Sequence, residues 1–277
     1  GAVYGAIDTS LNRIVAIKAM VANPENPEFT ARFECEASAM AKLNHPNIVA
    51  IYDSGKVDDL HYIVMERMDG GTLQQEIQKK KRLPVRRAIA ILGQICDALD
   101  YVHSLNVIHR DVKPGNIMLD RHGNAKLSDF GLVKGLRFEE FNEVTLTRTD
   151  MAVGTPLYMA PEQMEWPTQA DHRADIYSAG AVLYEMMTGE VPSGRHKAIS
   201  KFPGVPRFLN AVVDQALNKV PEKRYERALS LKQHLLRRQG ATRRRLLRLC
   251  TAAGVGLLAL GGAVAIDFQR TPDRQGV

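Results

Sequence analysis

The chain has 277 residues, 45% of them hydrophobic and 25% charged, enough for one or two domains with a sizeable core. The formal net charge of +6 is unevenly placed. Residues 227–266 hold eight Lys/Arg and no Asp/Glu, and the first 226 residues sum to −2, which argues against a nucleic-acid-binding face on the globular body. Cys35, Cys96 and Cys250 are too scattered for a metal cluster or a disulfide framework and read as thiols in a reducing compartment.

Residues 1–70 read mostly as strands, with β-branched runs at Ile14–Ile17 and Tyr62–Met65. Between them, residues 27–43 have helical spacing through Phe33, Ala37 and Met40, and His45-Pro46 stops that helix. A second amphipathic helix is predicted over 84–105, with Pro84 near its start and Ile91, Ile95, Leu99 and Val102 along one stripe. Turn-rich segments run to about residue 160. Helical patterns return over about 174–188, 206–218 and 228–239, with a short, unusual stretch at Pro192–Pro206. The layout is α+β: a small β-rich lobe, then a larger helical one, without internal repeats.

Residues 249–266 carry no charge and would span roughly 27 Å as a helix at about 1.5 Å per residue, near the thickness of a bilayer core. Leu246 and Leu247 extend the stretch while Arg248 snorkels. Arg237, Arg238, Arg243, Arg244, Arg245 and Arg248 precede it, so the preceding domain is expected on the cytoplasmic side of a single-pass helix over 246–266 in the inner membrane. Small pairs four apart, Ala252/Gly256 and Ala259/Ala263, are compatible with a homodimer.

The segment Val107–Met118 places His109, Arg110, Asp111, Lys113 and Asn116 on a turn flanked by apolar pairs. A carboxylate here can accept a hydroxyl proton, and an amide oxygen a few residues on can hold a divalent metal. Lys113, between them, can sit against a phosphate. Ser128-Asp129-Phe130-Gly131 then supplies a second metal-binding carboxylate, an apolar anchor and a hinge glycine.

These segments resemble the catalytic loop and the metal-binding loop of eukaryotic-type (Hanks-type) serine/threonine protein kinases. Val15-Ala16-Ile17-Lys18 resembles the strand whose Lys grips the α- and β-phosphates, and Glu36 in the following helix would pair with it. Gly154–Glu162 resembles the substrate-docking loop ending in Ala-Pro-Glu. Asp175–Gly180 looks like the start of the central helix of the large lobe, and Arg224 resembles the Arg that pairs with Glu162. The likeness covers residues 1 to about 238, and its wording is similar to the bacterial receptor-like, membrane-spanning subgroup.

The resemblance implies a two-lobed fold with a small lobe over 1–67 and a large lobe over 68–238. A basic linker over 239–245, the membrane helix over 246–266 and the start of an extracytoplasmic segment over 267–277 would follow. It implies transfer of the γ-phosphoryl group of ATP to Ser/Thr hydroxyls of protein substrates, with Mg²⁺ or Mn²⁺. Asp111 would take the hydroxyl proton, Asn116 and Asp129 would hold the metal, Lys18 fixed by Glu36 would align the phosphates, and Lys113 would steady the transferred group. Met65 would be the gatekeeper, with Glu66 to Met68 as the hinge. Gly1, Val3, Ala16 and Met118 would surround the nucleotide. Arg110 would receive a phosphorylated activation-loop residue, Thr147 and Thr149 being the candidates. The Thr155 hydroxyl would bridge Asp111 and Lys113. Phe130, Gly131, Glu162, Asp175 and Arg224 would have structural roles.

Only the last glycine of the family's G-x-G-x-x-G loop is present, as Gly1, so the chain reads as N-terminally truncated. A pseudokinase or recruiting scaffold, the competing reading, predicts damage at Lys18, Asp111, Asn116 or Asp129, and all four are intact.

Overall fold

The computed structural model describes residues 2–21, 40–130, 157–166, 169–192 and 196–237. It opens with a four-stranded antiparallel sheet formed by β1 (Ala2–Asp8), β2 (Arg13–Val21), β3 (Ile51–Val57) and β4 (Leu60–Glu66) in the order β1-β2-β4-β3. The two predicted β-branched runs lie inside β2 and β4. Val3 pairs with Lys18, Gly5 with Ala16, and Ala16 with Met65. Directly opposed residues share a face of the sheet, so Val3, Ala16, Lys18 and Met65 line one side. Of the helix predicted over 27–43, residues 40–43 are described; the first two are helical, and Met40 and Leu43 are buried.

The rest is mainly helical: α1 (Leu73–Lys80), α2 (Val85–Ser104), α3 (Pro161–Glu165), α4 (Arg173–Thr188), α5 (Phe208–Ala216) and a helical segment over 228–237. A short hairpin of β5 (Ile117–Leu119) and β6 (Ala125–Leu127) lies between α2 and α3. The predicted stripe of α2 is fully buried at Ile91, Ile95, Leu99 and Val102. Each such side chain contributes roughly 1.5–3 kcal/mol relative to exposure. In α4, thirteen of sixteen residues are buried, including its polar Asp175 and Ser178. A helix apolar all round belongs in the middle of a core, which makes α4 the pillar on which the loops of the site rest.

The helix α1 was not anticipated from the sequence. It begins with a capping box, in which the Thr72 hydroxyl accepts from the Gln75 N–H and the Gln75 side chain accepts from the Thr72 N–H. Among the described residues of the short Pro192–Pro206 stretch, only a 3₁₀ turn at Ile199–Lys201 appears between α4 and α5. The predicted membrane segment lies outside the described residues, and none of the described helices is long and apolar enough to cross a membrane.

Candidate active site

The loop between α2 and β5 carries Asp111, and its neighbours fix it. Lys113 Nζ lies 2.6 Å from Asp111 Oδ2. Asn116 Nδ2 donates to the same oxygen at 2.8 Å and to the Asp111 carbonyl at 2.9 Å. It also reaches the Asp129 carbonyl at 3.4 Å. Asn116 is buried in the 3₁₀ turn Pro114–Asn116, so its amide is held from both sides. With Nδ2 committed to Asp111, Oδ1 is the amide atom with lone pairs to offer a cation.

Asp129 follows β6 with a left-handed backbone (φ 49°), a conformation non-glycine residues seldom adopt and one that clusters at functional sites. Lys18 Nζ from β2 reaches Asp129 Oδ1 at 2.6 Å. Ser128 Oγ touches Asp129 Oδ2 at 3.2 Å and the Asn116 carbonyl at 3.2 Å. The elements therefore bring Lys18, Asp111, Lys113, Asn116 and Asp129 into one polar network although 111 positions separate its ends.

Beneath it lies a buried anchor. Asp175, at the start of α4, accepts through Oδ2 from the His109 N–H at 2.8 Å and lies 2.7 Å from His103 Nε2, while Oδ1 accepts from the Arg110 N–H at 2.8 Å. Burial works to raise its pKa, but the hydrogen bond and charge of His103 and the contacts with His109 prevail and hold it below the ordinary carboxylate value. His109 is buried, and desolvation pushes its pKa down. Its Nδ1 accepts from the Asp111 N–H at 3.3 Å, so Nε2 is the nitrogen that donates to the Ser128 carbonyl at 3.2 Å. Its ring packs on Phe130 with centroids 4.4 Å apart.

Glu162 and Arg224 meet in a bidentate pair at 2.5 and 2.6 Å. Arg224 also donates to the carbonyls of Asn218 and Arg173 and lies under the Tyr177 ring. Met118 on β5 bridges to Thr72, and Gly70 passes so close to β5 that a Cβ there would sit 2.5 Å from the Asp120 carbonyl. Gly1, Glu36, Gly131, Thr147, Thr149 and Thr155 lie outside the described residues.

The protein kinase domain family matches residues 1–251. The chain belongs to that family. The kinase domain is 38% identical over 259 residues to the probable serine/threonine-protein kinase PknB of Bifidobacterium longum, covering 84% of this chain and 37% of the relative. It is 36% identical over 289 residues to serine/threonine-protein kinase PknB of Mycobacterium leprae, covering 97% and 46%. It is 38% identical over 242 residues to serine/threonine-protein kinase PrkC of Bacillus subtilis, covering 82% and 36%. The chain thus spans less than half the length of these relatives.

The kinase domain also holds polar residues that sequence reasoning passed over. Lys126 pairs with Glu66 at 2.7 Å, and Glu66 further accepts from the Ala50 N–H at 3.3 Å. The Glu66 N–H donates to the Ala50 carbonyl at 2.8 Å, which ties the end of β4 to the residue before β3. Gln163 joins Ala160 to Arg110. Tyr158 donates to Glu185 at 2.6 Å. Apart from Gln163–Ala160, these pairs are separated by 16 to 60 positions, and no local motif marks them.

Proposed function

We propose that this protein is an ATP-dependent serine/threonine kinase that works through the Asp111 network. The observation that carries this reading is the convergence of Asp111, Lys113, Asn116, Asp129 and Lys18 in one polar network. Asp111 accepts the proton of the substrate hydroxyl as that oxygen bonds to the γ-phosphorus. The bond from the γ-phosphorus to the β–γ bridging oxygen breaks, and its electrons leave with ADP. Lys113 offsets charge on the transferred group, and Lys18 holds the α- and β-phosphates. Positioning and neutralisation dominate such transfers. The Asn116 Oδ1 and Asp129 carboxylate are hard oxygen donors of the kind Mg²⁺ takes one or two at a time, the rest coming from phosphates and water. These two residues would hold the ion, whose positive charge would offset the negative charge of the phosphates. Val3, Ala16, Met65 and Met118 form the apolar walls for adenine.

The test is phosphate transfer from labelled ATP to the protein itself and to a Ser/Thr peptide. Asp111→Asn should lower turnover by about 10²–10⁴-fold, and equal labelling of wild type and variant would sink the assignment. In the same experiment, label on the wild type is expected at Thr147 and Thr149, where Arg110 could receive it. A catalytically silent scaffold finds no support, since Lys18, Asp111, Asn116 and Asp129 are all present.

Membrane anchoring is the second part of the reading. It rests on the uncharged stretch 249–266 and the arginines before it. A single helix over 246–266 would hold the kinase domain at the cytoplasmic face, with the small-residue pairs available for self-association. The protein should sediment with membranes after carbonate washing, and deletion of 246–266 should release it. Identical fractionation of the two forms would exclude the anchor.

A further inference from the structure

Arg110, the residue immediately before Asp111, has a left-handed backbone (φ 64°) although it is not glycine. Such a conformation persists only where the surroundings hold it. Its N–H is held by Asp175 Oδ1 at 2.8 Å. Its carbonyl accepts from Gln163 Nε2 at 3.3 Å. The peptide unit joining Arg110 to Asp111 is planar, so its carbonyl and its N–H move together. The carbonyl end is held by Gln163 and the N–H end by His109 Nδ1. Two partners on opposite edges fix the plane from which the Asp111 side chain departs.

Gln163 has a second bond. Its Oε1 accepts from the Ala160 N–H at 3.1 Å, reaching back over the first turn of α3. The side chain is 7% exposed, so both bonds form away from water. Ala160 ends the segment beginning at Leu157, which is itself tied to α4 by Ser178 Oγ donating to the Tyr158 carbonyl at 2.7 Å. One amide therefore connects the segment resembling the docking loop to the peptide plane that aims Asp111. Only a side chain that donates and accepts at once can serve both. A carboxylate accepts from Ala160 but faces the Arg110 carbonyl with a lone pair.

We propose that Gln163 is a positioning residue for phosphoryl transfer, coupling the Leu157–Ala160 segment to the orientation of Asp111. This rests on the reading of Asp111 as the proton acceptor, and it adds a residue that acts through Asp111 without touching substrate.

The experiment measures kcat, KM for ATP and KM for peptide in the full protein with Gln163→Met, which keeps volume and removes both bonds, and with Gln163→Glu. Misplacing the reacting group should lower kcat in Gln163→Met by about tenfold or more, while KM for ATP stays within about twofold because the nucleotide walls are elsewhere. The Gln163→Glu activity, taken as a ratio to wild type at each pH, should be low at pH 8 and recover towards pH 6. Burial raises the pKa of the new carboxyl, and its protonated form regains a donor for the Arg110 carbonyl. A merely structural side chain would not produce that pH dependence. Loss of ATP affinity in parallel with kcat, or a ratio flat across this range, overturns the proposal. Asp111→Asn is run alongside. If it is as active as wild type, the proton-acceptor reading fails. If it is inactive while the Gln163 variants keep the wild-type kcat, the positioning role alone fails.

Discussion

The His109 ring is buried against Phe130, with Nδ1 accepting from Asp111 and Nε2 donating to Ser128, a pattern that requires the neutral imidazole. Desolvation lowers its folded pKa from 6.5, outweighing the nearby Asp175, Asp111 and Asp129 carboxylates. The unfolded chain then binds more protons than the folded one once pH falls below about 6.5, so stability drops with falling pH in that window. One proton gives a limiting slope of about 1.4 kcal/mol per pH unit. Asp175, whose folded pKa is depressed, acts in the same direction at lower pH: its contribution is present above the ordinary carboxylate value and is lost as pH falls through the folded one. Urea unfolding as a function of pH should show a slope below pH 6.5 that His109→Phe removes. A variant with an unchanged slope would assign the titration elsewhere. At this scale the sequence was readable wherever chemistry is contiguous: Asp111, Lys113 and Asn116 lie within six positions. It was silent on His103, Lys126 and Gln163, whose partners lie 72, 60 and 53 positions away.

Among the elements, α4 sets the tightest tolerances. At Gly180 a Cβ would lie 2.6 Å from the Ala216 Cβ of α5, a neighbour with no flexible end to swing aside. Ala has the better helix propensity by about 1 kcal/mol, but overpacking a core costs about 1–3 kcal/mol. Gly180→Ala should therefore lower the free energy of unfolding by up to about 2 kcal/mol, read as a lower urea midpoint at unchanged slope. A stabilised variant would show that α5 shifts freely and that α4 is no fixed pillar. The long helices were legible because their apolar stripes repeat over several turns, and α2 and α4 begin and end within one residue of the ranges read from the sequence. The eight-residue α1 buries only Leu73 and Ile77, too few for periodicity, although its Thr72–Gln75 capping box was a legible signal. Strands β5 and β6 have three residues each and depend on pairing with one another. Their apolar residues cannot be told from a turn's flanks by pattern alone.

Across the whole molecule, the sheet and the helical part are joined by a relay of short bonds. The Val49 N–H donates to the Leu127 carbonyl, the Leu127 N–H to the Asn47 carbonyl, and Asn47 Nδ2 to the Ala125 carbonyl, each at 2.9 Å. Glu66, at the end of β4, is fixed to Ala50 through both its backbone and its carboxylate, and the same carboxylate reaches Lys126 on β6. Asp129 follows Leu127 by two residues. The hinge that would hold adenine and the carboxylate that would face the phosphates are thus mounted on one frame. The Lys126–Glu66 pair is partly buried, at 18% and 25% side-chain exposure, and is worth about 1 kcal/mol. Removing Lys126 leaves the Asp111 network untouched but takes the cation from the Glu66 carboxylate, which keeps its Ala50 N–H bond, and so loosens the start of the proposed hinge. Lys126→Ala should raise KM for ATP by about fivefold, the equivalent of about 1 kcal/mol, with kcat at saturating ATP near wild type. Steady-state kinetics across ATP concentrations separate the two. A fall in kcat at unchanged KM would mean that the pair acts through β6 on Asp129, and that the frame serves the phosphates and not the purine.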